Sequence, residues 1–138
     1  MTTVIDLTAE LAKLTMCRGR TPQTTSADRM GTSAQLAPYR DGAIFTGKFS
    51  GKGAWERHMQ GDELVHILDG SATLDIVTGD GPPQSLSVRA GMVAIVPQGA
   101  WHRFQSSEGV TLMTATPRPT DHIRLDVDDP RKVEPQPV

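Results

Sequence analysis

The sequence predicts an all-β domain, and three observations carry that prediction. The chain has 138 residues, a length typical of one domain with its own core. It contains 13 Gly and 10 Pro, residue types that break helices and favour tight turns. From residue 42 to residue 116, short apolar or alternating runs are separated by Gly or Pro about every eight to twelve residues, which is the pattern of a β-sandwich or barrel.

The first part of the chain, residues 1–41, is predicted to hold one short helix and an extended segment. Three leucines recur at helical spacing within residues 7–14, and Asp6 or Thr8 can cap the helix start. Residues 18–38 are rich in Thr, Ser, Gln and Gly, which favours a surface segment rather than core.

The middle part, residues 42–116, is predicted to form the barrel. The expected strands are 43–49, 53–58, 64–68, 72–77, 84–89, 92–96, 101–106 and 110–116. Turn signals separate them, among them Asp69-Gly70 and Glu108-Gly109. Eight short strands suit two antiparallel sheets folded as a jelly roll.

The last part, residues 117–138, is predicted to be a C-terminal strand and extended tail. It holds five of the ten prolines and nine charged residues. Ile123, Leu125 and Val127 alternate, which indicates a short strand, with a partner subunit as one surface on which it can lie. After Asp128 we expect disorder or an extended arm, and we expect His122 to be solvated.

Charge and composition exclude several function classes. The net charge is -2, and the 14 basic residues are scattered, so we expect no nucleic-acid surface. No apolar run approaches the roughly 20 residues that span a bilayer, and no export signal is visible, so the expected location is cytoplasmic. The single cysteine, Cys17, excludes an internal disulfide framework and a thiolate zinc site.

Two groups of residues carry candidate chemistry. Because side chains alternate along a strand, Glu56 and His58 are expected on one face, and a turn then leads to Glu63. A second turn, containing Pro97 and Gly99, leads to His102. Imidazole nitrogens together with carboxylate oxygens are typical ligands of divalent iron, manganese, nickel or zinc.

Two further polar residues near the first group are interpreted differently. Asp62 is the weaker rival of Glu63 and is expected to cap the turn. His66 follows Glu63 by three positions, so alternation sends it to the opposite face, and we interpret it as a packing or solvent-facing residue.

At these positions the sequence resembles the cupin family. The second cupin motif is Gly, five residues, Pro, one residue, Gly, two residues and His, usually followed four positions later by Asn. Gly91, Pro97, Gly99 and His102 stand at those spacings, with Ser106 in the Asn position.

The first cupin motif is matched with one departure. His58, Glu63 and Gly70 fit its His, Glu and Gly, but Glu56 stands where the motif has its first histidine. The Gly that opens the motif is replaced by Ser50. The resemblance covers roughly residues 42–116.

The resemblance implies a jelly-roll barrel, a double-stranded β-helix, usually dimeric, with one divalent metal ion in its mouth. The ligands that it implies are His58, Glu63 and His102, with Glu56 replacing a histidine. If Glu56 coordinates, the harder site favours Mn²⁺ or Fe²⁺, and if it does not, a 2-His-1-carboxylate triad remains. A third alternative is a metal-free pocket in which Glu56 is an acid-base catalyst.

Three functions remain open at this point. One is a metal-dependent dioxygenase, isomerase or lyase acting on a small organic molecule, with Glu56 as fourth ligand or general base. The second is a non-catalytic sensor or carrier that binds a small molecule in the same pocket. The third is a metal-free structural or partner-binding barrel, because a fold does not fix a function. The expected assembly is a homodimer.

Overall fold

The computed structural model describes residues 2–134, which form nine strands, one α-helix and one 3-10 turn. The elements are α1 (Leu7–Ala12), β1 (Cys17–Arg20), β2 (Ser33–Tyr39), β3 (Gly42–Lys52), β4 (Trp55–His58), β5 (Glu63–Ile76), β6 (Gln84–Arg89), β7 (Val93–Val96), β8 (His102–Pro117), β9 (Thr120–Ile123) and the 3-10 turn Pro130–Lys132. One run of paired strands has the order β1-β3-β8-β4-β9, with β2 also on β3. The strand β5 pairs with β6, β7 and β8. The all-β jelly-roll prediction is confirmed.

Two long strands, β5 and β8, each replace two of the strands predicted from the sequence. Gly70 and Gly109 lie inside these strands rather than at their ends, with φ of 75° and 123°. A Cβ built on Gly70 would stand 2.2 Å from the carbonyl oxygen of Gly109, so this approach requires glycine. The register shifts on both sides of Gly70, which lets the paired strands bend without ending.

The N-terminal segment adds strands to the sheet. Asp6 caps α1 by accepting a hydrogen bond from the Ala9 amide at 3.1 Å, as predicted. The strand β1 pairs in parallel with β3, and β2 pairs with β3 antiparallel. Residues 18–38 lie at the surface as expected, with only Pro22 and Thr32 buried, but they contribute to two strands that the sequence did not predict. Cys17 is buried against Phe49, its register partner. The division of the chain at residues 41 and 116 stays a prediction.

The C-terminal segment returns to its own barrel. The strand β9 pairs with β4 of the same chain, and it ends at Ile123 before the alternating Leu125 and Val127. Beyond Asp128 the chain forms a 3-10 turn in which Pro130 is buried, so the expected disorder was wrong as far as residue 134. Residues 135–138 lie outside the described residues.

The buried apolar residues form two clusters. The larger cluster fills the barrel and consists of Cys17, Phe49, Val65, Ile67, Ala72, Leu74, Ile76, Val88, Val96 and Val110. The smaller cluster lies behind β4 and consists of Trp55, Val77, Trp101 and Ile123. In the described part of the chain, no helix has the length and hydrophobicity that a membrane crossing requires.

Candidate metal centre

Strand β4 presents Glu56 and His58 to the interior of the barrel. Alternation sends Arg57 to the opposite face, where its guanidinium lies 4.6 Å from the centre of the Trp101 ring and 2.7 Å from the Asp121 carboxylate. The carboxylate of Glu56 and the imidazole of His58 line one cavity, as the alternation predicts.

The two turns that precede β5 and β8 are joined by hydrogen bonds. The carboxylate of Asp62 accepts a hydrogen bond from the Gln98 amide at 2.8 Å, which is the turn-capping role expected from the sequence. The Gly99 amide donates to the His58 carbonyl at 2.9 Å. These bonds hold the two motifs together, and the imidazole rings of His58 and His102 lie 5.2 Å apart, centre to centre.

His102 is oriented by its own turn. Its Nδ1 donates to the carbonyl oxygen of Ala100 at 3.0 Å, so the proton sits on that nitrogen and Nε2 faces the interior. Nε2 lies 3.1 Å from Oε1 of Glu63. The imidazole is almost fully buried. This is the arrangement of a histidine that binds a metal ion through Nε2.

Glu63 contacts both histidines. Its Oε2 lies 3.3 Å from Nε2 of His58 and accepts a hydrogen bond from the Thr116 hydroxyl at 2.6 Å. The carboxylate is buried and opens the apolar strand β5. A buried carboxylate requires a polar partner, and the pair of histidines supplies it.

Three residues form a group that can hold a metal ion. Ligand atoms of Glu56, His58 and His102 all lie within 4.8 Å of one another. The structure thus brings three of the four predicted ligands together in one group, and Glu63 bridges the two histidines. Metal ligation by these four residues stays a prediction.

The charges of the group depend on one another. Burial raises the pKa of Glu56, but the hydrogen bond and charge of His122 and the charge of His102 outweigh it and lower the pKa to about 2. Burial likewise raises the pKa of Glu63, but the adjacent His102 and His58 imidazoles outweigh burial and lower the pKa to about 2. Burial lowers the pKa of His102, but the Glu63 and Glu56 carboxylates outweigh burial, so the pKa of His102 is raised. The buried Glu63 carboxylate and the part-exposed Glu56 carboxylate are therefore both stabilised by positive charge beside them.

One buried atom fits a metal ion directly. Nε2 of His58 is buried, and its contact with Oε2 of Glu63 at 3.3 Å lacks hydrogen-bond geometry, while Nδ1 lies 3.0 Å from the Thr120 hydroxyl. An orphaned buried imidazole nitrogen beside carboxylate oxygens lacks only an electron-pair acceptor. The donor set therefore fits a divalent transition metal.

The group opens into a cavity of about 350 Å³ inside the barrel. Polar and charged lining residues outside the four candidates include Arg20, Arg29, Lys48, Thr116, Thr120 and His122. His66 pairs with Val93 and Met113 on neighbouring strands and is not among the described residues that line the cavity.

His122 is the functional candidate that the sequence interpretation assigned wrongly. It lies on β9 opposite Glu56, with Nε2 at 3.4 Å from the Glu56 carboxylate, and its side chain is 16% exposed rather than solvated. Only the alternation from Ile123 indicated a strand there, and no local signal indicated that the strand would return to β4.

Comparisons with known proteins agree with this architecture. The family profile described as the cupin domain matches residues 46–115, half of the chain. Over 51 residues the chain is 41% identical to the acireductone dioxygenase of Rhodopseudomonas palustris strain TIE-1. The aligned segment covers 37% of this chain and 30% of that enzyme. The chain thus aligns with less than a third of the length of that curated relative.

Solved structures share the fold. Protein NMB1881 from Neisseria meningitidis superposes with a TM-score of 0.59 at 20% identity, over 81% of this chain and 96% of that chain. A cupin-2 domain protein from Shewanella frigidimarina gives a TM-score of 0.51 at 26% identity, over 63% and 80%. Hydroquinone 1,2-dioxygenase PnpCD superposes with a TM-score of 0.54 at 16% identity, over 62% of this chain and 63% of that chain. With the profile match, the jelly-roll barrel and the His/Glu group, the chain belongs to the cupin family.

Proposed function

We propose that this cupin is a metal-dependent enzyme that acts on a small organic molecule in the mouth of the barrel. The observation that carries the proposal is the group of Glu56, His58 and His102, whose ligand atoms lie within 4.8 Å of one another at a cavity of about 350 Å³. The reaction type is that of a dioxygenase, isomerase or lyase. The 41% identity with acireductone dioxygenase over 51 residues favours the first of these.

His58, Glu63, His102 and Glu56 hold the ion in this proposal. Neighbouring ligand atoms around an ion with bonds of about 2.1 Å stand about 3 Å apart. The distances from Glu63 to the two Nε2 atoms, 3.1 and 3.3 Å, are of that size. Manganese, iron, nickel and zinc all accept this mixed imidazole and carboxylate set.

The protein residues around the ion orient ligands and exclude water. Ala100 fixes the tautomer of His102, and Thr116 holds one oxygen of Glu63. When bound, the ion supplies Lewis acidity and, where it is redox-active, one-electron chemistry. Burial of the two histidines keeps bulk water from their ligand atoms.

Glu56 has two assignments within the proposal. As a ligand it completes a set of two imidazoles and two carboxylates. As a base it accepts a proton from the bound molecule at its carboxylate, beside His122 Nε2 at 3.4 Å. The Glu56→Gln variant separates the two, because a lost ligand lowers metal content and a lost base lowers turnover at unchanged metal content.

Elemental analysis tests the metal site. Protein purified without chelator is expected to contain about one transition-metal ion per chain, and His102→Ala is expected to lose it. The matched control is His66→Ala, on β5 but away from the cavity, which should keep the ion. Equal metal content in His102→Ala and the unaltered protein would contradict the site.

An activity measurement tests the enzymatic part. Acireductone, named in the curated relative, is the first compound to assay. Oxygen uptake that disappears on chelation and in His102→Ala would support the dioxygenase type. Tight binding of a small molecule to metal-loaded protein with no conversion would instead indicate a carrier or sensor.

We also propose that the chain forms a homodimer in the cytoplasm through the outer face of β5 and β7. Leu64, Val93 and Ile95 lie there with exposures of 36%, 55% and 56%, and Leu64 is the register partner of Ile95. Neighbouring exposed apolar side chains favour an interface.

A further inference from the structure

Two of the three described arginines that line the cavity, Arg20 and Arg29, lie on its wall without an acidic partner. Arg20 ends β1, where it is paired with Gly51 of β3, and its guanidinium lies 5.1 Å from the centre of the Phe49 ring. The buried Gly53 lies beside this guanidinium, and a Cβ at that position would stand 3.6 Å from Cζ of Arg20. Arg29 reaches the same cavity from the loop between β1 and β2.

Within the described residues, neither guanidinium has a carboxylate as its ion-pair partner. The Nε atoms of Arg20 and Arg29 are both buried without a hydrogen-bond partner, and no ion pair with a carboxylate of residues 2–134 involves either side chain. The third arginine of the lining, Arg103, differs, because it is buried and its Nε donates to Asp75 at 2.8 Å. A buried N–H donor without a partner costs free energy, so this pair is incomplete by itself.

The charge of Arg20 interacts with the charges of Arg29 and Glu56. Burial lowers the pKa of Arg20 and the positive charge of Arg29 lowers it further, whereas the Glu56 carboxylate raises it. Arg20 therefore lies within electrostatic range of both Arg29 and Glu56. Two like charges at one cavity wall favour an anion between them.

We propose that Arg20 and Arg29 form a carboxylate-binding subsite, so that the substrate is a small organic acid whose carboxylate lies at the arginines and whose reacting part lies at Glu56, His58 and His102. The placement of the reacting part at Glu56, His58 and His102 rests on the proposed function. The carboxylate is favoured because guanidinium N–H groups form paired hydrogen bonds with its two oxygens. The cavity volume of about 350 Å³ restricts the acid to a small one.

The test uses acetate, acetamide and inorganic phosphate as probes. Acetate and acetamide have the same shape, and only acetate carries a charge. In ¹⁵N-labelled, metal-loaded protein, the Nε–H resonances of Arg20 and Arg29 are followed during each titration. We expect acetate to shift both resonances with saturation and acetamide to leave them unchanged. The resonance of Arg18, exposed on the same strand, is the internal control.

Substitutions give the second measurement. Arg20→Gln and Arg29→Gln are each expected to weaken acetate binding at least about tenfold, the loss of one charge-assisted hydrogen bond. Arg18→Gln should change it less than about twofold. If Arg20→Gln does not fold, Arg20→Lys keeps the charge and the stem and should still weaken binding by loss of the planar fork.

The results that would overturn the subsite are distinct from those that would overturn the metal site. Unshifted Nε resonances, equal response to acetamide, or acetate affinity unchanged in both glutamine variants would overturn the subsite. Phosphate that displaces acetate and binds more tightly would overturn the assignment to a carboxylate. Metal content measured on the same samples tests the proposed function, because metal-free protein that still shows arginine-dependent acetate binding contradicts that function alone.

Discussion

Oε1 of Glu63 lies 3.1 Å from Nε2 of His102, although the two residues are 39 positions apart in the chain. The contact joins the start of β5 to the start of β8. It also places a carboxylate against the ring nitrogen that the Ala100 carbonyl leaves for a ligand. A cation between these atoms, whether a proton or a metal ion, is therefore part of the stable site.

The first prediction concerns that carboxylate. Glu63→Gln keeps the shape of the side chain but removes the charge that faces both histidines, so metal affinity should fall at least about tenfold. Competition with a chelator of known affinity measures the change. Asp69→Asn, exposed on the same strand, is the matched control. Unchanged affinity in Glu63→Gln would remove Glu63 from the site.

The second prediction ranks two other acidic residues. Glu56→Gln should weaken metal binding more than Asp62→Asn does, because Glu56 belongs to the ligand group and Asp62 caps the turn through the Gln98 amide. The same chelator competition applies. The reverse order would show that Asp62, rather than Glu56, is the carboxylate that binds the metal ion.

The third prediction is a pH dependence of stability that arises at Asp75. Burial raises the pKa of Asp75, but hydrogen bonds from Arg103, Ser85 and Gln105 outweigh it, so the folded pKa is lowered. A lowered folded pKa stabilises the protein above the unfolded value of about 3.9. This stabilisation is lost as the pH falls through the folded pKa.

Asp75→Asn should therefore lower the free energy of unfolding by about 1.5–3 kcal/mol at pH 7, the range for hydrogen bonds to charged groups. The difference from the unaltered protein should shrink as the pH falls below about 4. Urea unfolding at several pH values measures both quantities. A difference that grows towards acid pH would contradict the assignment to Asp75.

The fourth prediction concerns the bend of the long strands. Gly70→Ala places a Cβ 2.2 Å from the Gly109 carbonyl at φ of 75°, so it should destabilise the fold by more than about 1 kcal/mol. Gly81→Ala is the control, because no described atom lies within 4 Å of a Cβ there. Thermal unfolding compares the two, and equal melting temperatures would refute the bend as a glycine requirement.

The fifth prediction concerns assembly. Ile95→Lys should convert the dimer to a monomer, because a lysine ammonium at the centre of an apolar contact loses its hydration. Tyr39→Lys, equally exposed on β2, should leave the dimer intact. Light scattering coupled to size-exclusion chromatography gives the mass. A monomeric unaltered protein would contradict the proposed interface.

Local sequence patterns predicted the barrel strands better than the ends of the chain. Residues 84–89 form a strand with the bounds expected from the alternation, and the turn of Pro97 and Gly99 delivers His102 to the cavity. The bends at Gly70 and Gly109 were interpreted as strand ends. A glycine with positive φ has the same local signature in a turn and in a continuous bent strand.

The parts of the site that the sequence did not reveal depend on distant pairing. Arg20 enters the cavity because β1 runs parallel to β3, and His122 enters because β9 returns to β4. Such pairings join residues far apart in the chain, and no periodicity within either segment specifies its partner.

The pairing of β9 with β4 also sets when the site can assemble. His122 opposes Glu56, and the carbonyl of Val127 accepts hydrogen bonds from the Trp55 indole at 2.8 Å and from Arg103 at 3.0 Å. The side of β4 away from β8 is therefore covered by residues that follow all four candidate ligands in the chain. A nascent chain that has emerged as far as β8 holds all four candidate ligands with that side uncovered, and the cavity wall closes only once β9 has followed.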